Sequence, residues 1–279
     1  MGDPVTTFGP YRLLAWLGRG ATSDVYRATR ESDTHEIALK ILLPAAAEDS
    51  EWVDRFEREG HVMRRLQHPN IVSWVDSGKL EGRWFLAMEL VQGRGGRSLV
   101  GGRPTAGSLA RLGAQIANGL LAAHAQGLIH RDLKPENLIA TKEGIVKILD
   151  FGLARPVLPG DSGLPHHLVH LTATGMILGT PRYMSPEQVR GERLTPATDL
   201  FCLGLCLFEI ATGRHPFASD FHREVMAGIL ETPTPPLKRW RPDLAVALIG
   251  LIEELLAKDP SKRPSAEITF QRFKTICQH

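Results

Sequence analysis

Two short motifs in the middle of the chain constrain its fold more than any other feature. The first runs from His130 to Asn137 and reads HRDLKPEN, and the second is Asp150-Phe151-Gly152. Pro135 makes the first motif irregular, because proline lacks an amide hydrogen and pushes the residue before it out of the helical region. Together the motifs hold a carboxylate, an ammonium group, an amide and a second carboxylate, which suit magnesium-assisted phosphoryl transfer.

The segment between the motifs predicts a hairpin. Residues 137–140 and 145–149 are short strand-like runs, and residues 141–144 between them indicate a turn. In an antiparallel hairpin, Asn137 at the start of one strand lies beside Asp150, just past the end of the other. Two hard oxygen donors would then lie together, as Mg²⁺ prefers.

These motifs resemble the catalytic loop and the metal-binding segment of eukaryotic-like protein kinases. The resemblance extends from about Tyr11 to about Cys277. It implies a single protein kinase domain over residues 1–279, with an α+β, two-lobed fold. The N-lobe, about 8–91, would be a small antiparallel sheet with one main helix. A hinge and linker would occupy about 89–97, and a larger, mostly helical C-lobe about 98–278.

Composition and charge exclude several classes of protein. Of the 279 residues, 43% are hydrophobic and 23% charged, and the net charge of +2 does not indicate nucleic acid or a membrane as a partner. Cys202, Cys206 and Cys277 match neither a disulfide framework nor a zinc site. The apolar run 200–210 is too short to span a bilayer, and the amino terminus has no signal-peptide pattern. We therefore expect a cytoplasmic protein, or the cytoplasmic part of a longer one.

The hydrophobic pattern divides the chain into a strand-rich front and a helix-rich back, which by itself indicates an α+β protein of two lobes. Residues 11–43 alternate and turn like strands, and residues 93–107 are glycine-rich and resemble a linker. Further strands are predicted over 71–76 and 84–90. Helices are predicted over 52–66, about 109–120, 199–211, 222–229, 244–257 and 265–276.

A glycine-rich loop, LGRGATSDV, occupies residues 17–25. A dinucleotide-binding loop would continue directly into a helix, but the residues that follow here are strand-like, so the loop is predicted to lie in a hairpin. This agrees with the kinase resemblance, in which the loop covers the nucleotide phosphates. Ser23 stands where the family has its third glycine.

Lys40 and Glu59 are charged residues in apolar surroundings. Lys40 lies inside the apolar strand 36–42, where a charge is costly unless it is paired. Glu59 shares a helix face with Phe56 and Met63. Each anomaly explains the other, and the resemblance implies this same pair, with Lys40 on the α- and β-phosphates of ATP.

The resemblance also implies a nucleotide site. The residues from Met88 to Val91 resemble the hinge, whose backbone binds adenine, and Met88 would guard the back pocket. Val25, Ala38 and Ile139 would enclose the adenine ring. The full set of implied ATP contacts is Leu17, Gly18, Gly20, Val25, Ala38, Lys40, Met88, Glu89, Val91 and Ile139.

For catalysis, the resemblance implies that Asp132 orients the attacking hydroxyl and accepts its proton, while Lys134 contacts the transferred phosphoryl group. Asn137 and Asp150 would bind Mg²⁺. Lys134 is typical of serine/threonine kinases, so the implied substrates are Ser and Thr hydroxyls of proteins. The alternative is a catalytically idle kinase-fold scaffold that signals by association, but it would require a catalytic residue to be missing, and none is.

Residues 150–187 form a long segment with little periodicity, and a loop of that length in a compact domain is usually functional. Thr172 and Thr174 are predicted autophosphorylation sites, because a phosphate on either could bind Arg131 and Arg155 and order the loop. A homodimer could support that reaction.

Residues 179–187, GTPRYMSPE, resemble the substrate-docking segment, in which Thr180 would bond to Asp132 and Lys134. The run SPEQ at 185–188 is common in bacterial members of the family, which indicates a bacterial origin.

Two further residues have implied structural roles. Glu187 would pair with Arg263. Asp199 would hold the backbone of the catalytic loop, a role compatible with capping its own helix.

Overall fold

The computed structural model describes residues 6–20, 22–31, 33–48, 50–150, 155–156 and 181–278. Contacts between residues divide the chain into two compact units. The first contains the described residues up to Gln92 together with Asp150. The second contains Gly93 to Leu149 and the described residues from Arg155 onward.

The first unit is built on a six-stranded antiparallel sheet with the strand order β1-β2-β3-β4-β6-β5. Its strands are β1 Thr6–Phe8, β2 Tyr11–Arg19, β3 Ser23–Arg30, β4 Glu36–Leu42, β5 Trp74–Leu80 and β6 Arg83–Glu89. Phe8, Tyr11 and Phe85 belong to the buried cluster on the sheet. Strand β5 begins later than the sequence predicts, because the chain first turns so that the Ile71 N–H donates to the His68 carbonyl oxygen at 3.0 Å.

Two helices follow β4, namely α1 Pro44–Ala47 and α2 Ser50–Arg65. Along α2, Phe56, Glu59 and Met63 are all buried, as their spacing predicts. Gly60 lies against β5, where an added Cβ would be 2.9 Å from Ser77 Oγ. The glycine therefore allows the helix to approach the sheet closely.

The second unit is mostly helical. Its helices are α3 Ala106–Ala125, α4 Pro186–Arg190, α5 Ala197–Thr212, α6 His222–Glu231, α7 Val246–Leu255 and α8 Ala266–Cys277. Its strands are β7 Gly93–Gly95, β8 Leu128–Ile129, β9 Leu138–Thr141, β10 Val146–Ile148 and β11 Arg155–Pro156. Every residue of α5 from Thr198 to Ala211 is buried, so this helix forms the centre of the core.

The predicted α+β fold class is confirmed by the antiparallel sheet of the first unit and the helices of the second. The four helices predicted after residue 190 are present, with ends that shift by at most two residues. Within the described ranges, none of the helices is both long and apolar enough to cross a membrane.

The glycine-rich stretch at 93–107 differs from the linker that its composition suggests. Its first residues form β7, which pairs with β9, and Gly96–Leu99 then form a 3₁₀ turn. A Cβ at Gly93 would lie 2.4 Å from the Ala140 carbonyl oxygen, and one at Gly96 would lie 2.4 Å from that of Pro135. These glycines therefore serve close packing rather than flexibility.

Candidate active site

In the first unit, Lys40 contacts two carboxylates. Its Nζ donates to both oxygens of Glu59, at 3.0 and 2.9 Å, and to Asp150 Oδ1 at 2.9 Å. The Lys40 side chain is 13% exposed and that of Glu59 is 3% exposed. The structure thus brings together the two charged residues that stand out in the sequence, and it adds the first residue of the second motif.

The cluster contains two acids and one base. Burial opposes the charged form of Lys40, but the two carboxylates overcome it and raise the pKa of its ammonium group. Burial also raises the pKa of Glu59, to about 8, with Lys40 opposing the rise and Asp150 adding to it. One ammonium group therefore serves two acids, and the raised pKa of Glu59 favours its neutral form.

Val25, Ala38 and Met88 lie on the same face of the sheet as Lys40. Val25 is directly opposite Lys40 across β3 and β4, and Ala38 is directly opposite Met88 across β4 and β6. Cross-strand partners share a face, as do residues two apart on one strand, so the four side chains form a continuous patch beside the Lys40 cluster.

The glycine-rich segment forms the end of the β2–β3 hairpin. Gly18 is opposite Val25, and the Gly20 N–H donates to the Ser23 carbonyl oxygen at 2.8 Å. Leu17 is 49% exposed. A strand follows the loop, so the hairpin prediction is confirmed and the dinucleotide-binding alternative is excluded.

The hinge-like residues begin at the end of β6. Met88 is buried, and the Glu89 N–H donates to the Ser73 carbonyl oxygen at 3.0 Å. The Glu89 carboxylate accepts from the Ser73 N–H at 2.9 Å. Val91 is partly exposed, and Ile139 lies in β9 of the second unit. Contacts of these residues with a nucleotide stay predictions.

In the second unit, the residues of the first motif contact one another directly. Lys134 Nζ is 2.6 Å from Asp132 Oδ2, and Asn137 Nδ2 donates to the Asp132 main-chain oxygen at 2.8 Å. The side chains of Asp132 and Lys134 are each 33% exposed, which leaves both accessible to a substrate. The predicted hairpin of β9 and β10 is present and is extended by a bond from the Leu149 N–H to the Asn137 carbonyl oxygen at 2.8 Å.

Asp199 holds the backbone of this loop from the buried helix α5. Its Oδ2 accepts from the His130 N–H and its Oδ1 from the Arg131 N–H, both at 2.9 Å. These bonds support Arg131 at a φ of 70°, a left-handed conformation that costs a non-glycine residue about 1–3 kcal/mol. Pro196, not Asp199, is the N-cap of α5, so the helix-cap role is wrong.

Two residues that the sequence analysis missed complete this support. His124 Nε2 lies 2.8 Å from Asp199 Oδ2, and Gln188 Nε2 donates to the Arg131 carbonyl oxygen at 2.8 Å. Burial alone would raise the pKa of Asp199, but the hydrogen bond and charge of His124 hold it below its ordinary value. His124 lies in the last turn of α3, and no local pattern connects it with Asp199.

A second buried ion pair joins Glu187 to Arg263, as the resemblance implies. The two terminal guanidinium nitrogens of Arg263 donate to the two oxygens of Glu187, at 2.7 and 2.9 Å. Thr198 Oγ1 also donates to Glu187, at 2.9 Å. Burial alone would raise the pKa of Glu187, but the hydrogen bonds and the charge of Arg263 lower it.

Several residues that the sequence predicts to be phosphorylation or docking sites are not among the described residues. Thr172, Thr174 and Thr180 lie outside the described residues, as does the rest of the second motif after Asp150. Arg155 is described only as part of the short strand β11.

Comparisons with known proteins agree with this arrangement. A family model described as "Protein kinase domain" matches residues 11–276. The chain belongs to the protein kinase family. This kinase domain is 37% identical, over 94% of its length, to serine/threonine-protein kinase pkn3 of Myxococcus xanthus. It is 36% identical over 92% of its length to PknD of Mycobacterium tuberculosis, and 34% identical over 91% to PrkC of Bacillus subtilis.

These relatives are longer than the kinase domain. The aligned part is 48% of pkn3 and 38% of PknD and of PrkC, so the chain spans about half or less of their length. Among solved structures, the kinase domain of Mycobacterium tuberculosis PknI superposes with a TM-score of 0.72 at 27% identity, covering 99% of both chains. The kinase fold is therefore shown by sequence and by structure.

Proposed function

We propose that the chain transfers the γ-phosphate of Mg-ATP to serine or threonine hydroxyls of protein substrates. The observation that carries this proposal is the geometry of two charged clusters: Lys40 pairs with Glu59 and Asp150 in the first unit, and Lys134 pairs with Asp132 in the second. The serine/threonine class is supported by Lys134 and by the names of the relatives pkn3, PknD and PrkC.

Asp132 orients the substrate hydroxyl and accepts its proton. Lys134, whose Nζ is 2.6 Å from Asp132, contributes positive charge where negative charge develops on the phosphoryl group. The hydrogen bonds from Asn137 to the Asp132 main-chain oxygen and to its Oδ2, at 2.8 and 3.3 Å, hold the Asp132 side chain in position.

Mg-ATP, when bound, supplies the phosphoryl group. The donor set suits the metal, because the bonds that Asn137 makes to Asp132 use its Nδ2 and not its amide oxygen, and Asp150 contributes a carboxylate. Lys40 would contact the α- and β-phosphates. The remaining proposed ATP contacts are Leu17, Gly18, Gly20, Val25, Ala38, Met88, Glu89, Val91 and Ile139.

Phosphate incorporation from labelled ATP, with magnesium and a mixture of protein substrates, tests the transfer. Asp132→Asn and Asp150→Asn should each abolish incorporation while the thermal unfolding transition is retained. Asp220→Asn changes an exposed aspartate and is the matched control. Full activity in either motif variant at saturating Mg-ATP contradicts the proposal. An idle scaffold, the alternative, would give no incorporation above the Asp132→Asn background.

We also propose control by autophosphorylation at Thr172 or Thr174, between two copies of the chain, with Thr180 bonding to Asp132 and Lys134 in the ordered state. The support is the motif resemblance and the position of Arg131 next to Asp132. The variant Thr172→Ala/Thr174→Ala should lower activity toward an external substrate. If mass spectrometry of active enzyme finds neither threonine modified, and the double variant is fully active, this control does not exist.

A further inference from the structure

A cluster of charged side chains in the second unit lies beside the catalytic loop and has no part in the chemistry described above. It consists of Arg97, Glu136, Tyr183 and Glu209, and we call it the Arg97 recess. Arg97 Nη1 donates to Glu209 Oε1 at 2.9 Å and to the Tyr183 hydroxyl at 3.0 Å. Arg97 Nε lies 3.8 Å from Glu136 Oε1. The Tyr183 hydroxyl in turn donates to Glu209 Oε2.

The recess is attached to the catalytic loop on two sides. Glu136 is in the 3₁₀ turn Pro135–Asn137, directly before the asparagine that bonds to Asp132. Helix α5 supports the loop along its length, because Asp199 binds the backbone and Cys206 Sγ lies 3.9 Å from the Leu133 carbonyl oxygen. Glu209 is three residues beyond Cys206, about one helical turn along α5.

The recess also adjoins the segment that resembles the substrate-docking element. Tyr183 closes the 3₁₀ turn Pro181–Tyr183, three residues after Thr180. A protein substrate that reaches Asp132 and follows this segment therefore passes the recess.

The positive charge in the recess comes from the chain itself. The Glu209 side chain is 3% exposed, whereas that of Arg97 is 50% exposed. The buried carboxylate is thus covered by a guanidinium group that solvent reaches, and a substrate could reach it too. Glu136, 46% exposed, forms the outer carboxylate.

We propose that Arg97 is a specificity-determining residue, which fills a guanidinium-sized subsite and so selects against protein substrates that present arginine or lysine there. This inference rests on the proposed phosphoryl transfer to proteins. An incoming cation meets the like charge of Arg97 and finds the carboxylate of Glu209 already paired. Without Arg97, Glu209 and Glu136 would offer two carboxylates, to which a substrate guanidinium can make charge-assisted hydrogen bonds.

Arg97→Ala tests the proposal with pairs of serine peptides that differ only by arginine or alanine at one position flanking the acceptor. For the unchanged enzyme, kcat/KM for the arginine peptide should be no higher than for the alanine peptide at any position. In Arg97→Ala the ratio should rise at least about tenfold at one position, mainly through KM, as a charge-assisted pair predicts. Adding Glu209→Gln should remove the gain.

Arg94→Ala is the matched control, because Arg94 is an exposed arginine of the neighbouring strand β7, with one hydrogen bond to the Ser98 carbonyl oxygen. It should leave the ratio unchanged. An active Arg97→Ala enzyme with unchanged ratios at every position overturns the proposal. Should that variant fail to fold, Arg97→Gln takes the same measurement, and unchanged ratios in it overturn the proposal equally.

A binding experiment separates failure of this inference from failure of the proposed function. Ethylguanidinium should stabilise Arg97→Ala against heat more than it stabilises the unchanged chain or Arg94→Ala, and this readout needs no turnover. If no peptide is phosphorylated by the unchanged enzyme, the proposed function fails while the stabilisation still tests the subsite. Equal effects of ethylguanidinium on all three proteins count against the subsite.

Discussion

Two buried ion pairs, Lys40–Glu59 in the first unit and Arg263–Glu187 in the second, differ in the number of acids that share the cation. All five N–H groups of Arg263 donate hydrogen bonds, two of them to Glu187 and the others to main-chain oxygens. Lys40 divides its three N–H groups between Glu59 and Asp150. The pKa of Glu187 is lowered, whereas that of Glu59 is raised.

Arg263 and Glu187 form a one-to-one pair, whereas Lys40 is shared between two acids. Arg263 and Glu187 neutralise each other, and main-chain oxygens and Thr198 complete their hydrogen bonds. This is the condition under which a buried pair holds one geometry. In the Lys40 cluster, one ammonium group is shared between two acids, and burial together with Asp150 raises the pKa of Glu59. Perturbed pKa values with a named charge partner are typical of functional sites.

Neutralising the glutamate of each pair should give the largest difference in the free energy of unfolding. Glu187→Gln leaves the buried Arg263 charge without its counter-ion, and we expect it to lower the free energy of unfolding by about 3–5 kcal/mol. Glu59→Gln should lower it far less, because Asp150 still pairs with Lys40 and the pKa of Glu59 already favours its neutral form. Denaturant unfolding of both variants measures the contrast, and equal losses would remove the distinction between the pairs.

Acid sensitivity of the second unit should come from His215 rather than from the Glu187 pair. Burial lowers the pKa of His215 to about 4, with Arg182 adding to the shift and Glu209 opposing it. A folded pKa below the unfolded value of 6.5 means that this stability is fully present above pH 6.5 and is lost as the pH falls toward 4. The loss is up to about 3 kcal/mol.

His215→Leu tests that assignment. The variant should be less stable at pH 7, because the Phe217 N–H loses its acceptor, but its free energy of unfolding should change little between pH 6.5 and 4. The unchanged protein should show a steep decline over that window. The same slope in both proteins would assign the acid response to other groups.

Catalytic activity should depend on the Lys40–Glu59 pair. Lys40→Met should lower kcat/KM at least about 100-fold, and Glu59→Gln should lower it about tenfold by displacing the lysine. These losses correspond to about 2.7 and 1.4 kcal/mol of transition-state stabilisation. Glu57→Gln, on the same helix but outside the cluster, is the control and should retain activity. Full activity of Glu59→Gln, or a nucleotide-bound active structure with Lys40 far from Glu59, would contradict the pairing argument.

The smallest effect concerns the position of helix α2, which carries Glu59. Alanine in place of an exposed helical glycine usually stabilises by about 1 kcal/mol. Gly250 in α7 has open space around it, so Gly250→Ala should show this gain. Gly60→Ala should not, because its Cβ would meet Ser77 at 2.9 Å. Thermal unfolding of the two variants measures the difference, and equal gains would show that α2 is free to shift.

Sequence patterns could predict the Lys40 cluster because its members are anomalies. A lysine inside an apolar strand and a glutamate on a buried helix face each require a partner of opposite charge, and each can serve as the partner of the other. The hairpin that carries Asn137 could be predicted for a related reason, since two strand-like runs of fixed length meet at a turn.

Other features depend on contacts between distant segments, which leave no local signal. His124 is an ordinary helix-terminal histidine until α3 packs against α5 and brings it to Asp199. Gln188 satisfies its capping role in α4 and still reaches the Arg131 carbonyl oxygen. The glycines at 93 and 96 have the composition of a linker, and only the approach of the neighbouring backbone explains them.

The bonds from Asp199 to the catalytic loop have a consequence for the time scale on which that loop opens. The His130 and Arg131 amide protons belong to irregular chain, yet their acceptor is a fully buried side chain of the central helix α5. These protons can exchange with solvent only when the loop separates from that helix. In hydrogen exchange they should therefore be as slow as the core amides of α5, so that an outwardly irregular loop opens only with the core of its unit.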